Sequence, residues 1–174
     1  MDKCPKMASA PVNITKKLDK EIASLFKNAT IHNVFISHAS SDHLTWDSFL
    51  SNPLLMTYLI QQGLSYAFFD LIQEYSPFDT EEWLMLLAIS SKTLSRYKED
   101  EKSFKPIQSE KIIEMAEVTH AGMEVFGEME KFRLWLDTPN FALGKMKPFD
   151  LLKDSYGKEL VLAELTRINY GILA

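Results

Sequence analysis

Hydrophobic residues recur every three or four positions along most of this chain, which is the repeat of an α-helix. The first stripe predicts a helix over residues 15–27, and its members are Ile14, Leu18, Ile22 and Leu25. Only the stretch Thr30–Ile36 is rich in β-branched residues, and the sequence offers it no second strand to pair with. The pattern therefore predicts an all-α fold.

Capping residues divide the remaining pattern into separate helices. Asn52 followed by Pro53 is typical of a helix start, and Gly63 is typical of the residue after a helix end. Asp79 and Glu82 have the spacing of a capping box. The other predicted helices cover residues 65–75, 80–88, 91–99, a long segment from 106 that ends at Gly127, 128–136, 148–152 and 157–168. We predict an N-terminal extension with one helix (1–41), a helical module (42–105) and a second helical module (106–174).

Composition and charge narrow the protein class. The chain has 174 residues, is 46 % hydrophobic and 25 % charged, and carries a net charge of -5. These values are typical of a globular protein and argue against a general nucleic-acid binder, although a local basic face is compatible with them. Apolar runs reach only about seven residues, against roughly 20 for a membrane span. With Cys4 as the single cysteine and no readable signal peptide, we expect a cytoplasmic protein without membrane association.

Motifs for catalysis and cofactor binding are absent from the sequence. His32, His38 and His43 lack the spacing of a metal site, and His120 falls within the long helix. No dinucleotide fingerprint, phosphate-binding loop or nucleophile elbow occurs, and Cys4 is a poor candidate nucleophile. We therefore predict no enzymatic activity, no cofactor and no metal.

The helices predicted at 80–88 and 91–99 are short and closely joined, as in a helix-turn-helix. The second would turn Leu94 toward the core and present polar and basic side chains for DNA contact: Ser91, Lys92, Ser95, Arg96 and Lys98. A plain helical hairpin with a solvated outer face is the alternative. Acidic residues outnumber basic residues between Ser65 and Lys105, and this local charge favours the plain hairpin over a DNA-binding motif.

The second module is rich in methionine and aromatic residues. We predict that they form its core: Met115, Met123, Phe126, Met129, Phe132 and Trp135. A module of this size is small for an independent core, so a binding partner is expected.

A pattern of residues in the last third of the chain resembles a known family. Its members are Phe126-Gly127, Trp135-Leu136, Pro139-Asn140, Ala142-Leu143-Gly144, Pro148, Leu151-Leu152, Gly157, Val161, Leu165, Arg167-Ile168 and Tyr170-Gly171. This pattern resembles the toxin-binding domain of the Xre/MbcA/ParS antitoxins, the partners of RES-domain toxins. Thr93–Arg96 resembles the family's recognition-helix signature, and Gly63-Leu64-Ser65 resembles the start of its Xre-like helix-turn-helix domain.

The resemblance implies a type II antitoxin that forms a homodimer, represses its own operon and neutralises a toxin that consumes NAD. It favours the helix-turn-helix over the plain hairpin. Lys92 and Tyr97 replace family arginines, and an ammonium and a phenol cannot form the bidentate contacts of guanidinium groups. Lys111 and Glu114 stand where the family often has arginine, and Gly144-Lys145 replaces a Gly-Gly pair, which is expected to alter that turn.

In the family, the C-terminal segment approaches the active site of the toxin. The corresponding toxin-binding residues here are Arg167, Asn169, Tyr170, Gly171, Ile172, Leu173 and Ala174. We hypothesise that this tail, with Tyr170 and the terminal carboxylate, occupies the toxin pocket that would otherwise hold NAD. Two alternatives remain: a helical protein-interaction domain without operator binding, and a transcription regulator without a toxin.

Overall fold

The structure is a computed structural model that describes residues 11–27 and 44–172. Its helices are α1 Pro11–Lys27, α2 Trp46–Leu50, α3 Pro53–Gln62, α4 Tyr66–Tyr75, α5 Thr80–Leu86, α6 Ser91–Glu99, α7 Pro106–Phe126, α8 Met129–Asp137, α9 Pro148–Leu151 and α10 Ser155–Asn169. A 3-10 turn at Phe141–Leu143 separates α8 from α9, and an isolated antiparallel bridge joins Asn140 to Met146. Within the two described ranges there is no β-strand, so the all-α prediction is confirmed. None of the helices in these ranges combines the length and apolarity of a membrane span.

The capping residues define the helix ends as the sequence predicts. The Asn52 side chain accepts hydrogen bonds from the amides of Leu54 and Leu55, at 3.1 and 3.3 Å. Asp79 accepts from the Glu82 amide at 2.8 Å, while Glu82 accepts from the Asp79 amide at 2.9 Å. This reciprocal pair is the predicted capping box, and it fixes the start of α5.

Two features of the N-terminal part differ from the prediction. Helix α1 begins at Pro11, four residues before its predicted start, and the short helix α2 was not predicted. A capping box between Thr45 and Ser48 starts α2, which places Trp46 and Phe49 in the core with no solvent exposure. The stretch Thr30–Ile36, Cys4, His32, His38, His43, Leu173 and Ala174 lie outside the described residues.

A continuous hydrophobic core connects the helices. Helix α1 packs against α2 and α4 through Ile14, Leu18 and Ile22. The long helix α7 lies centrally, against α3 and α4 on one side and α8 and α10 on the other. Of the predicted core of the second module, Met115 and Phe132 are fully buried, and the remaining members are partly buried. Helix α7 therefore packs between the N-terminal helices α3 and α4 and the C-terminal helices α8 and α10, and it connects the two groups.

A hydrogen-bonded joint fixes the α3–α4 turn against the start of α7. The Leu64 carbonyl accepts from the Phe104 amide at 2.7 Å, and the Leu64 amide donates to the Ser109 hydroxyl at 3.0 Å. Gly63 has φ +83°, and a side chain there would lie 2.4 Å from the Phe104 carbonyl oxygen. Only glycine suits both the backbone conformation and the space at this position.

A second joint connects α5 to α8 through Arg133. Its guanidinium donates to both carboxylate oxygens of Glu82 at 2.7 Å and to Asp137 at 2.7 Å. The same group lies 5.5 Å from the centre of the Phe149 ring. Hydrogen bonding to Glu82, and then to Asp137, raises the pKa of Arg133 above its usual range. Because Glu82 also caps α5, this side chain links the helix-turn-helix to the C-terminal helices.

We predict that Arg133→Met lowers the free energy of unfolding by about 2 kcal/mol, because charged hydrogen bonds are lost and the half-buried Glu82 carboxylate loses its cation. Urea denaturation measures this change. The control is Lys131→Met on the same helix, where an exposed pair with Glu128 at 2.9 Å contributes less than about 0.5 kcal/mol. Equal losses in the two variants would show that Arg133 does not form a stabilising link.

Candidate functional sites

The helix-turn-helix consists of α5, a tight turn and α6. The Ile89 amide donates to the Leu84 carbonyl at 3.1 Å, and Ala88 in the turn has φ +50°. The Ser90 hydroxyl then accepts from the Thr93 amide at 3.2 Å and starts α6. This local hydrogen bonding sets the orientation of α6 relative to α5.

The predicted DNA-contacting residues lie together on the outer surface of α6. All five are exposed: Ser91, Lys92, Ser95, Arg96 and Lys98. Leu94 is 8 % exposed and faces the core. The structure therefore supplies the surface that a recognition helix requires, and the DNA-binding role of these residues stays a prediction.

Tyr97, which stands where the family has an arginine, is half-buried. Its ring stacks on Phe104 with 4.3 Å between the ring centres. Phe104 belongs to the joint with Leu64 and Ser109, so Tyr97 braces α6 against the start of α7. Lys98 is exposed, but its ammonium lies 6.0 Å from the centre of the Tyr66 ring.

The loop after α6 brings further charges beside Arg96. A pocket of about 270 Å³ is lined by Thr93, Arg96, Tyr97, Asp100, Lys102 and Lys105. Asp100 and Lys102 form an exposed ion pair at 2.6 Å, and hydrogen bonding to Lys102 lowers the pKa of Asp100. The sequence indicates only an exposed charged segment here. The return of the chain toward α7 places Lys102 and Lys105 close to α6.

The second candidate site is the C-terminal end of α10. The Gly171 amide donates to the Ile168 carbonyl and the Ile172 amide to the Arg167 carbonyl, both at 2.9 Å. With Gly171 at φ +69°, these bonds form a Schellman motif, which turns the chain sharply at the helix end. The motif holds Ile172, which is 56 % exposed, in a defined direction.

The predicted toxin-binding residues differ in their solvent exposure and in their contacts with other residues of the chain. Tyr170 is 77 % exposed, and with Asn169 it lines a pocket of about 220 Å³ between α7 and α10 that also contains Glu124. Arg167 is not free, because its guanidinium donates to Glu164 at 3.0 Å. The structure therefore places Asn169, Tyr170, Gly171 and Ile172 together at one exposed end.

Buried charges attach α10 to α7. Lys158 of α10 lies 3.3 Å from Glu117 of α7, and the Ser155 hydroxyl at the start of α10 donates to the Glu114 carboxylate of α7 at 3.2 Å. Burial raises the pKa of Glu117 despite the neighbouring ammonium group. Burial alone would lower the pKa of Lys158, but the surrounding carboxylates, Glu117 first, raise it. These pairs fix the position of α10 beneath its exposed end.

The turn after the 3-10 segment shows how the Gly-Lys pair is accommodated. Gly144 has φ +66° and Lys145 has φ +63°, so both residues adopt the left-handed conformation that glycine favours. Lysine therefore forms this turn at a cost of about 1 kcal/mol relative to glycine.

Comparisons with known proteins add independent findings. The chain matches the antitoxin Xre-like helix-turn-helix domain over residues 57–117 and the antitoxin Xre/MbcA/ParS C-terminal toxin-binding domain over residues 121–171. Antitoxin Xre of Yersinia enterocolitica is 28 % identical over 116 residues, which are 66 % of this chain and 78 % of the relative. Antitoxin Xre of Photorhabdus laumondii is 26 % identical over 117 residues, which are 67 % and 79 % of the two chains.

A solved structure is also similar to this chain. It is the crystal structure of the M. tuberculosis MbcT-MbcA toxin-antitoxin complex, with 24 % identity and a TM-score of 0.46. The similarity covers 71 % of this chain and 99 % of the matched chain.

Proposed function

Because this chain carries both domains of the Xre/MbcA/ParS antitoxins and belongs to that family, we propose that it neutralises a RES-domain toxin that consumes NAD. The chain is the antitoxin of a toxin-antitoxin system, with a helix-turn-helix domain and a toxin-binding domain. The proposal concerns the identity of the toxin and the way it is inhibited. NAD is a cytoplasmic cofactor, so we place this action in the cytoplasm.

The exposed end of α10 is the observation that carries the proposal. It lies at the end of the segment that matches the toxin-binding domain, and the Schellman motif directs Ile172 away from the core. Tyr170 presents an aromatic ring and a hydroxyl at the same place. In our proposal, this tail enters the toxin pocket that otherwise holds NAD, and the bound tail excludes the substrate.

Co-expression with the neighbouring gene product tests this function. We expect the RES-domain toxin alone to deplete cellular NAD, and co-expression of this chain to restore NAD and to yield a complex that co-purifies. NAD depletion that persists in cells containing the complex would refute the proposed inhibition.

We further propose that the chain forms a homodimer and represses its own operon. Support for DNA binding comes from the exposed basic side chains on α6. Support for the homodimer comes from the two-fold symmetry with which helix-turn-helix dimers bind paired half-sites. Lys105 adds positive charge beside Arg96, whereas the charge of Lys102 is paired with Asp100. Together these groups would contact phosphates and base edges of the operator.

For DNA binding, we predict that Arg96→Ala weakens operator binding 10- to 100-fold, because a group that contacts a base or phosphate is removed. Lys92→Ala should reduce the slope of log K against log salt concentration by about one, because one fewer counterion is released on binding. Gel shifts on the upstream promoter at several salt concentrations measure both effects. The matched control is Lys20→Ala, an exposed lysine on α1, and an equal effect in this variant would rule out a specific α6 contact.

One observation favours the alternative of a protein-interaction domain without operator binding. Tyr97 packs its ring on Phe104, so it offers no guanidinium to DNA where the family has an arginine. Salt-independent or absent binding of the promoter, together with intact toxin binding, would support this alternative. A transcription regulator without a toxin would instead show promoter binding and no complex with the neighbouring gene product.

A further inference from the structure

A short loop after α8 holds two large apolar side chains in solvent. We call residues 140–147 the Phe141 loop. Its ends are joined by backbone hydrogen bonds from the Asn140 amide to the Met146 carbonyl, at 3.0 Å, and from the Lys145 amide to the Asn140 carbonyl, at 2.8 Å. Phe141 is 79 % exposed and Met146 is 48 % exposed. Lys145 has φ +63°, so the loop presents these side chains at a cost in backbone strain, which is typical of a contact site.

A shallow groove lies along α8 of the same chain. We call it the α8 groove. Its volume is about 450 Å³, and it is lined by Pro77, Met129, Glu130, Arg133, Leu134 and Asp137. Leu134 is 69 % exposed, so the groove offers apolar surface to a side chain from another molecule.

The loop and the groove carry opposite charges. Lys145 and Lys147 give the loop two positive charges, and the loop contains no acidic residue. In the groove, Arg133 is already bound by two carboxylates, so the additional carboxylate of Glu130 makes the groove negative. Within the described part of the chain, Glu130, Lys145 and Lys147 are all exposed and none of them forms an ion pair. Their charges are therefore available to another molecule.

We propose that two copies of this chain pair through these features, with the Phe141 loop of each copy in the α8 groove of the other. The inference rests on the proposed homodimer and names its contact surface. The loop follows the carboxyl end of α8, whereas Met129 and Glu130 lie at its amino end. Two α8 helices that pack antiparallel about a two-fold axis therefore bring each loop to the groove of the other copy. Phe141 then contacts Met129 and Leu134, and the lysines approach Glu130.

A second copy is favoured over a different protein because one chain carries both halves of the contact. A single two-fold axis satisfies both halves at once. Covering one phenylalanine and the groove surface beneath it removes on the order of 300 Å² from solvent, and the axis forms this contact twice. With Met146 and the lysine side chains, the total approaches about 1,000 Å², the size at which a weak biological interface begins. We therefore expect a dimer that dissociates on dilution and that paired operator half-sites stabilise.

Sedimentation equilibrium of the full-length chain at several concentrations tests the proposal. Phe141→Ala removes the ring that enters the groove, and its control is Tyr156→Ala, at an aromatic residue of α10 that is 88 % exposed. Glu130→Lys reverses the charge of the groove, and its control is Glu110→Lys, at an exposed glutamate of α7. Circular dichroism melting confirms that each variant is folded, and calorimetry with the RES-domain toxin measures toxin binding separately.

We expect Phe141→Ala and Glu130→Lys each to raise the dissociation constant of the dimer at least about 10-fold, as at central contact residues, and the two controls to leave it unchanged. Lys145→Glu should also weaken the dimer. Glu130→Lys combined with Lys145→Glu should restore the dissociation constant to within about 3-fold of the wild type, because opposite charges again face each other. Phe141→Ala should bind the toxin like the wild type.

Three results would overturn the inference. Phe141→Ala would leave the dimer intact, or the combined charge reversal would fail to restore it, or Phe141→Ala would weaken toxin binding and not dimerisation, which would assign the loop to the toxin. In each case the wild type still dimerises, through another surface, and the proposed function stands. A wild type that stays monomeric at every concentration, with and without operator DNA, would remove the proposed homodimer and the inference together.

Discussion

Deletion of Gly171–Ala174 is expected to leave the chain bound to its toxin but unable to protect cells from NAD loss. The deletion leaves α10 and its ion pair to α7, between Lys158 and Glu117, in place. Binding should therefore weaken less than 10-fold, whereas protection should be abolished because the pocket for NAD is open. Cellular NAD during co-expression measures protection, and co-purification measures binding.

A matched pair of glycine variants separates the direction of the tail from its presence. Gly171 and Gly127 both have φ +69°, and neither has a neighbouring atom within 4 Å of an added Cβ. Gly171→Ala disturbs the turn that directs the tail, whereas Gly127→Ala introduces the same backbone strain at the end of α7. We expect only Gly171→Ala to reduce inhibition. Unchanged protection after the deletion itself would refute a role for the tail.

Gly157→Ala is expected to destabilise the toxin-binding domain by about 3 kcal/mol or more. An added Cβ would lie 1.9 Å from the Leu151 carbonyl oxygen and 2.7 Å from its carbonyl carbon. Both atoms belong to the backbone of α9, so no side-chain rotation relieves the overlap. Separation of α9 from α10 would also remove the support of the exposed helix end, and toxin binding should fall with stability.

Urea denaturation of Gly157→Ala and Gly144→Ala tests this prediction. Gly144 has φ +66° but open space around it, so Gly144→Ala should cost only about 1 kcal/mol of backbone strain. If the two variants lose equal stability, close packing at Gly157 is not the cause.

Helix ends were predictable because they depend on residues close together in the sequence. Asn52, Asp79 and Gly127 each act on amides or carbonyls within one helical turn, and the structure places each at the expected helix end. The five-residue helix α2 was not predictable from periodicity, since it is shorter than two turns. Its capping box at Thr45 and Ser48 was the only local signal.

The details of the sites depend on contacts between distant residues. The Arg133–Glu82 pair spans 51 positions, and sequence spacing carries no information about it. Tyr97 was recognised as a departure from the family pattern, but its stacking on Phe104 follows from the return of the chain after α6. The exposed face of α10 was not predictable for another reason. Both Leu160 and Val161 are apolar, and only tertiary packing determines which of the two is exposed.

The most direct test of the account is NAD hydrolysis by the purified RES-domain toxin as this chain is titrated. The account predicts that hydrolysis falls to zero when the toxin is saturated, at the same concentration at which the complex forms. A toxin that remains fully active while saturated with this chain would contradict the account.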